Sequence, residues 1–380
     1  MTPPTLAPRR TVVIAPDSFK SSLSASAVAA EIAAGWREIL PGDELVLVPQ
    51  ADGGEGTLDA IELSIAGARR RDAGEVTGPD GRPTRGQWLL LPDGTAVVEL
   101  AQCSGLPLMR LPDACGASTR GLGEVIGHAL DAGAQKLLIG LGGSASTDAG
   151  AGALCALGLR LFDSAGRALA DGGGALNQLS RADRSKMRPP PPGGVFLLTD
   201  VVSVLYGQSG AALTFAPQKG ASSAEVLLLD SGLRRFSQTL ETPIDPETPG
   251  AGAAGGTAWG FAALWDAGII PGAEFLAQLS GLPRALTRAQ LIITGEGRFD
   301  ESSLHGKVVG NVLTLAQRHA VPVALIAGQI AFNTGQLKRA SPATALSLSQ
   351  LAGSVEEALA NPRPYLKMAA RMLAQQQKLV

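Results

Sequence analysis

Histidine and cysteine are both scarce, with three of each in 380 residues. His128, His305 and His319 form no recognisable pairing, and Cys103, Cys115 and Cys155 have no metal-type spacing. An odd set of thiols excludes a closed disulfide framework and reads as reduced, structural cysteines of a cytoplasmic protein. The lack of a G-x-S-x-G elbow and of a well-placed histidine disfavours a serine-hydrolase triad as well. Charge is also thin: 17% of residues are charged and the formal net charge is −2. That leaves no electrostatic footprint for nucleic acid or an anionic membrane. No uncharged apolar run reaches the ~18 residues of a membrane span. The opening MTPPTLAPRRTVVIAP has no apolar region after its basic pair, so it does not read as a signal peptide.

Aromatics make up only 4% of the chain, whereas glycine occurs 48 times. The composition points to an aliphatic α/β core with many backbone-lined turns. Thr11 to Pro16 (TVVIAP) is a buried parallel-type strand, followed by a helix from about Ser24 to Leu40. ELVLVP and a helix from Thr57 repeat the β-loop-α unit, which argues for a doubly wound sheet. GQWLLLPDGTAVVEL then carries a hairpin signal around Pro92-Asp93-Gly94-Thr95, so a more antiparallel domain begins near residue 70. Thr119 to Ala132 reads as a helix, VFLLTD as a strand ending at Asp200, and FAPQKGA as a loop carrying Lys219 into a helix from Ser222. Near Ala289 the parallel style returns with QLIIT and VPVALIAG, and the tail from Ser354 is helical. The first domain is therefore expected to comprise 1–70 and 289–380, with 71–288 inserted.

Lys136 to Gly152 (KLLIGLGGSASTDAGAG) shows the chemistry most plainly. An apolar strand stops at Gly142 and Gly143 and passes through Ser144, Ser146, Thr147 and Asp148 into a helix-competent segment. Alone, such a loop needs its glycines only for tight packing, but the composition recurs at other strand ends. Asp17 and Lys20 follow VVIAP; Asp52 and Glu55 follow LVLVPQA; Asp200 follows VFLLT; Glu296 and Asp300 follow LIIT, with Lys307 beyond. In open α/β sheets, ligands bind beyond the carboxyl ends of strands. Carboxylates beside glycine nests and lysines suit magnesium-nucleotide chemistry. The P-loop pattern fails, because Glu301 stands where its first glycine belongs and Val308 follows Lys307. Gly250-Ala-Gly252-Ala-Ala-Gly255 fits G-x-G-x-x-G, but prolines precede it where a strand is required, which disfavours an NAD-dependent oxidoreductase.

Six stretches together resemble the bacterial type I glycerate kinase family. They are APDSFKSSLSA (Ala15 to Ala25), ADGGEGT (Ala51 to Thr57), GLGGSASTDAGAG (Gly140 to Gly152), FAPQKGA (Phe215 to Ala221), GAGAAGG (Gly250 to Gly256) and TGEGRFDESSLHGK (Thr294 to Lys307). The sequence departs from the family pattern at Val202-Ser203-Val204, where an Asn-Pro segment is usual, and at Ser21, Thr147 and Ala149. The resemblance implies ATP- and Mg²⁺-dependent phosphorylation of D-glycerate to 2-phosphoglycerate. The alternatives are the 3-hydroxyl or a related hydroxy acid as acceptor and, more remotely, a non-catalytic nucleotide or sugar-acid binding protein. It also implies a Rossmann-like domain with a smaller inserted mixed α/β domain and the active site in the cleft between them, in a monomer or homodimer. On this reading Asp200, Asp52, Lys20 and Lys219 are catalytic, with Asp200 preferred as base. Gly142, Gly143, Ser144, Gly255, Gly256 and Lys307 hold the nucleotide. Asp17, Ser18, Lys20, Glu55, Glu296 and Arg298 hold the acceptor, and Asp52, Asp148 and Glu296 the metal.

Overall fold

The computed structural model describes residues 9–19, 22–304, 307–332 and 342–378. Lys20 and Ser21 lie outside the described residues. Eleven strands build two principal sheets: β1 (Thr11–Ile14), β2 (Glu44–Leu47), β3 (Arg69–Thr77), β4 (Pro83–Leu90), β5 (Thr95–Glu99), β6 (Lys136–Gly140), β7 (Val195–Leu198), β8 (Gly268–Ile270), β9 (Leu291–Thr294), β10 (Val323–Ala327) and β11 (Thr344–Ser347). The chain divides into two compact units. One holds the residues up to Ala51, Asp59–Ala66 and those from Ala273 on; the other holds Asp52–Leu58 and Gly67–Gly272.

The first unit is an all-parallel sheet in the order β11-β10-β9-β1-β2. Val12 and Ile14 face one side with Ile293 and Ile326, against helix α1 (Ala25–Ile39) and the C-terminal helix Pro362–Lys378. Val13 and Ala15 face the other, against Ala273, Ala277, Leu282 and the helix Val308–Arg318. Burial on both faces explains the unbroken apolar strands, since each fully buried Val, Leu or Ile contributes roughly 1.5–3 kcal/mol. In α1, Val28, Ile32 and Trp36 recur at helical spacing on the buried face, and Ser24 caps its start by accepting from Ala27 N–H at 3.3 Å. The order is the doubly wound arrangement in which the chain leaves β1 for β2 and returns on the other flank of β1. β11 was not read from the sequence.

In the second unit the sheet order is β8-β7-β6-β5-β4-β3. β8, β7, β6 and β5 run parallel, while β5-β4-β3 are antiparallel. The hairpin turn closes as expected: Leu91 N–H donates to Thr95 O at 2.8 Å, and Thr95 N–H to the Asp93 carboxylate at 3.0 Å. His128 accepts a hydrogen bond from the buried Trp88 indole at 3.1 Å, which gives one scarce histidine a structural role. Burial pushes the Cys103 and Cys155 thiols up to about 12, as suits inert structural cysteines.

The units differ from the sequence expectation in three ways. Residues 52–58 group with the second unit, because Gly53 and Gly54 lie against the Leu198 and Gly142 backbones. Residues 273–288 group with the first, because Ala273, Ala277, Leu282 and Leu286 pack on Val13 and Ile292. The inserted unit is also the larger of the two rather than the smaller.

Candidate active site

In the first unit, the carboxyl ends of β1 and β9 meet at the point where the chain changes flank, the usual ligand position in such sheets. Asp17 N–H donates to Gly295 O at 2.8 Å, and Ser18 N–H to the Asp17 carboxylate at 2.6 Å. Thr294 Oγ1 donates to Ala15 O at 2.8 Å, and Glu296 O accepts from Gly328 N–H at 3.0 Å, so β10 joins the same end. Asp17, Ser18 and Glu296 are thus brought together by adjacent strand ends. Farther along, Arg298 is exposed and lies 3.3 Å from Asp300. Asp300 accepts from Ser302 N–H at 3.0 Å and Oγ at 2.7 Å. The Ser302 hydroxyl, with the charges of Lys307 and Arg298, holds its carboxyl below the usual range. Lys307 stands at the start of the helix Val308–Arg318 and donates to Ser302 Oγ at 2.9 Å.

In the second unit, the ends of β6 and β7 meet the 52–58 loop. Leu141 N–H donates to Leu198 O at 3.2 Å and Gly142 N–H to Gly53 O at 3.0 Å. A Cβ on residue 142 would lie 2.4 Å from Gly54 Cα, so only glycine fits that crossing. Asp52 spends one carboxylate oxygen on Gly54 N–H at 2.9 Å. Its carbonyl and the Thr199 amide both border Gly272, so the Asp52 main chain runs beside the strand end that carries Asp200. Exposed Glu55 borders Gly143, whose Cβ position is 3.2 Å from Glu55 Oε1. Asp52, Glu55, Gly142, Gly143 and the Asp200 strand end therefore converge.

Several expected ligands turn out to be internal supports. Gly142 and Gly256 spend their N–H groups on Gly53 O and Gly252 O, so neither is a free backbone donor. Gly255 has φ +65°, and a Cβ there would lie 2.2 Å from Ser146 O, which explains the glycine by the close approach of two turns. Ser144 Oγ turns back to Ser146 O and Ser146 Oγ, both at 3.3 Å. Asp148 has no solvent exposure. It accepts from Thr119 N–H at 2.9 Å, Thr119 Oγ1 at 2.8 Å, Gly150 N–H at 3.2 Å and Gly152 N–H at 3.2 Å. Four donors saturate it, so it is a structural carboxylate and not a metal ligand. The helix after this turn is a short one, Ala151–Ala156.

Glu99 was missed by sequence reasoning. It is 2% exposed and accepts from Gly56 N–H at 3.1 Å and Leu58 N–H at 3.0 Å, holding the 52–58 loop. The acid at the end of AVVEL was its only signal. The departing segment 202–204 packs on the glycine run at 250–256, with Gly252 N–H donating to Ser203 O at 2.9 Å.

A family model of the glycerate kinases matches residues 12–378. The chain belongs to the glycerate kinase family. It is 39% identical over 370 residues to the glycerate 2-kinase of Escherichia coli K12, covering 96% of this chain and 97% of that protein. It is 38% identical over 378 residues to the glycerate kinase of Bacillus subtilis 168, covering 97% and 98%. A crystal structure from Salmonella typhimurium LT2, ascribed to a glycerate kinase 2, matches with a TM-score of 0.80 and 35% identity over 98% of this chain and 99% of that one.

Within this glycerate kinase family member, Lys219 departs most from its expected setting. FAPQKGA is not an open loop: the helix Ala211–Phe215 leads directly into a 3₁₀ turn at Pro217–Lys219. Lys219 is 3% exposed, and its Nζ donates to Ser146 O. Burial lowers its pKa to about 8, with Asp148 pulling the other way. Among the described residues no three His, Cys, Asp or Glu side chains cluster as a metal cage. Mg²⁺ needs no such cage, since it usually uses one or two carboxylates, water and substrate phosphates. Asp52, with one oxygen uncommitted to Gly54, fits that donor chemistry; Asp148 does not. No helix among the described residues is long and apolar enough to cross a membrane.

Proposed function

We propose that this protein is an ATP-dependent glycerate kinase that phosphorylates the 2-hydroxyl of D-glycerate in the cytoplasm. The observation that carries the reading is the convergence of Asp52, the 52–58 loop and the Asp200 strand end, in a chain matched to the family from residue 12 to 378. Phosphoryl transfer asks the protein for little covalent chemistry, so positioning and charge stabilisation supply most of the rate.

Asp200 accepts the proton of the acceptor hydroxyl as it attacks the γ-phosphorus in line. Asp52 is the carboxylate available to hold Mg²⁺, with Glu296 as a further candidate. When bound, the ion neutralises phosphate charge. Asp17, Ser18, Glu55, Glu296 and Arg298 are assigned to the acceptor, and Lys307 and Gly143 to the nucleotide. Lys20, a candidate for either ligand, lies outside the described residues.

Asp200→Asn removes the base while keeping the shape. Turnover is expected to fall at least ~100-fold with ATP affinity within about three-fold of wild type, measured by ADP release and by calorimetry. Near-normal turnover would sink the assignment of Asp200 as base. ³¹P NMR of the product formed from D-glycerate and ATP tests the reaction itself: 2-phosphoglycerate supports the reading, 3-phosphoglycerate corrects the regiochemistry, and no phosphorylated glycerate removes the kinase.

A further inference from the structure

The turn that joins β6 to Ala151 is clamped from behind. Lys219 Nζ donates to Ser146 O, and the same carbonyl accepts from Ser144 Oγ at 3.3 Å. Three residues on, Ala149 N–H donates to Gly255 O at 2.9 Å, while a Cβ on residue 255 would lie 2.2 Å from Ser146 O and 2.5 Å from Thr147 Cα, so the two turns cross closely there. Asp148, between these two ties, is saturated by Thr119, Gly150 and Gly152. The turn between Gly143 and Gly150 is thereby fixed at its middle by an ammonium, at its end by a second turn, and between them by a carboxylate.

The ammonium is an expensive way to make the middle tie. Lys219 is 3% exposed, and the carboxylate with which it interacts is already filled by four other donors. A buried charge without a dedicated counter-ion costs stability, and a methionine of similar shape would pack there at lower cost. The amine is instead spent on a backbone carbonyl inside the fold, that of Ser146. What remains is an effect through the peptide. A charged donor on Ser146 O polarises the Ser146–Thr147 peptide unit, strengthening its N–H as a donor. Beside that unit the Thr147 hydroxyl is buried and has no hydrogen-bond partner among the described residues, a group that a well-packed fold normally satisfies.

We infer that Lys219 is a positioning residue whose ammonium fixes and polarises the Gly143–Gly150 turn without contacting substrate. The inference rests on the glycerate kinase reading and replaces direct catalysis by Lys219 with support of a turn whose exposed end, at Gly143, receives an anionic group of substrate or nucleotide.

The test compares wild type, Lys219→Met and Lys219→Arg in steady-state kinetics with D-glycerate and MgATP, alongside thermal unfolding. Wild-type turnover is measured first; its absence overturns the kinase reading together with this one. With wild type active, Lys219→Met is expected to unfold at or above the wild-type temperature. Its kcat should fall at least 30-fold, in the range seen for losing one preorganised donor, while both KM values change less than three-fold. Lys219→Arg, which keeps the charge, is expected to recover at least ten-fold of that loss. A Lys219→Met kcat within three-fold of wild type overturns the inference. A rise in one KM with unchanged kcat overturns it in favour of direct ligand contact. If both variants lose their folded structure, or Arg is no better than Met, Lys219 serves folding or shape alone and the inference falls.

Discussion

Acids and lysines follow the strands in both units, but the two units use them differently. In the first, Arg298, Asp300, Ser302 and Lys307 form an open chain of contacts on the surface, with Arg298 and Lys307 free to turn toward a ligand. In the second, Asp148 and Lys219 are buried inside the fold, whereas Asp52, Glu55 and Asp200 retain access to solvent. One sequence signature, an acid and a lysine near a glycine-rich strand end, therefore covers two physical cases: exposed groups open to solvent and buried groups that shape a turn. Exposure separates the cases, and one-dimensional sequence does not carry exposure.

The sharpest test of that contrast pairs Asp148 with Asp300. Asp148→Ala leaves the Thr119 hydroxyl and three backbone N–H groups buried without an acceptor, each at roughly 1–3 kcal/mol. The expected result is failure to fold or a melting temperature lowered by more than about 10 °C. Asp300→Ala removes a partly exposed carboxylate whose partners water can serve, and about 1 kcal/mol or less should be lost. Equal losses in the two variants would break the distinction.

The parallel framework was legible in the sequence because strands buried on both faces, such as TVVI and LIIT, are apolar without interruption. The Asp93-Gly94 hairpin was legible because its turn residues are nearly compulsory. β11 was not: its TALS is short and only half apolar, and its place comes from pairing with β10. The convergence of Asp52, Gly142 and the Asp200 strand end was foreshadowed by residue type alone. That Gly142 and Gly256 spend their N–H groups inside the fold depends on which loops cross, and no local pattern encodes the crossing. Glu99 was hidden for the same reason, since its partners Gly56 and Leu58 lie more than forty residues away in sequence.

A smaller effect probes the buried side of the contrast through pH. The folded-state pKa of Lys219, about 8, is below the ordinary 10.5. Below pH 8 both folded and unfolded states carry the proton, and the fold bears the cost of burying it. Between about pH 8 and 10.5 the folded state releases the proton before the unfolded state does, so stability rises with pH. Comparing wild type with Lys219→Met across this window cancels the other titrating groups. The wild type should gain on the variant by up to about 3 kcal/mol, measured by chemical unfolding at each pH. A constant difference would show that Lys219 is not desolvated as its burial implies.

The smallest structural effect belongs to Lys307, and it isolates the exposed side. Among the described residues its amine donates to the Ser302 hydroxyl at the surface, a contact for which water substitutes readily. Lys307→Met should therefore shift stability by less than about 0.5 kcal/mol. If the amine meets a nucleotide phosphate, one charge-assisted hydrogen bond of roughly 1.5–3 kcal/mol is lost from the bound state, and the KM for ATP should rise ten-fold or more. Loss of binding without loss of stability is the reverse of the pattern expected for Lys219→Met, which keeps its KM values and loses kcat. An unchanged KM for ATP in Lys307→Met would place this lysine among the solvated surface charges and leave Arg298 as the cation of that unit to test next.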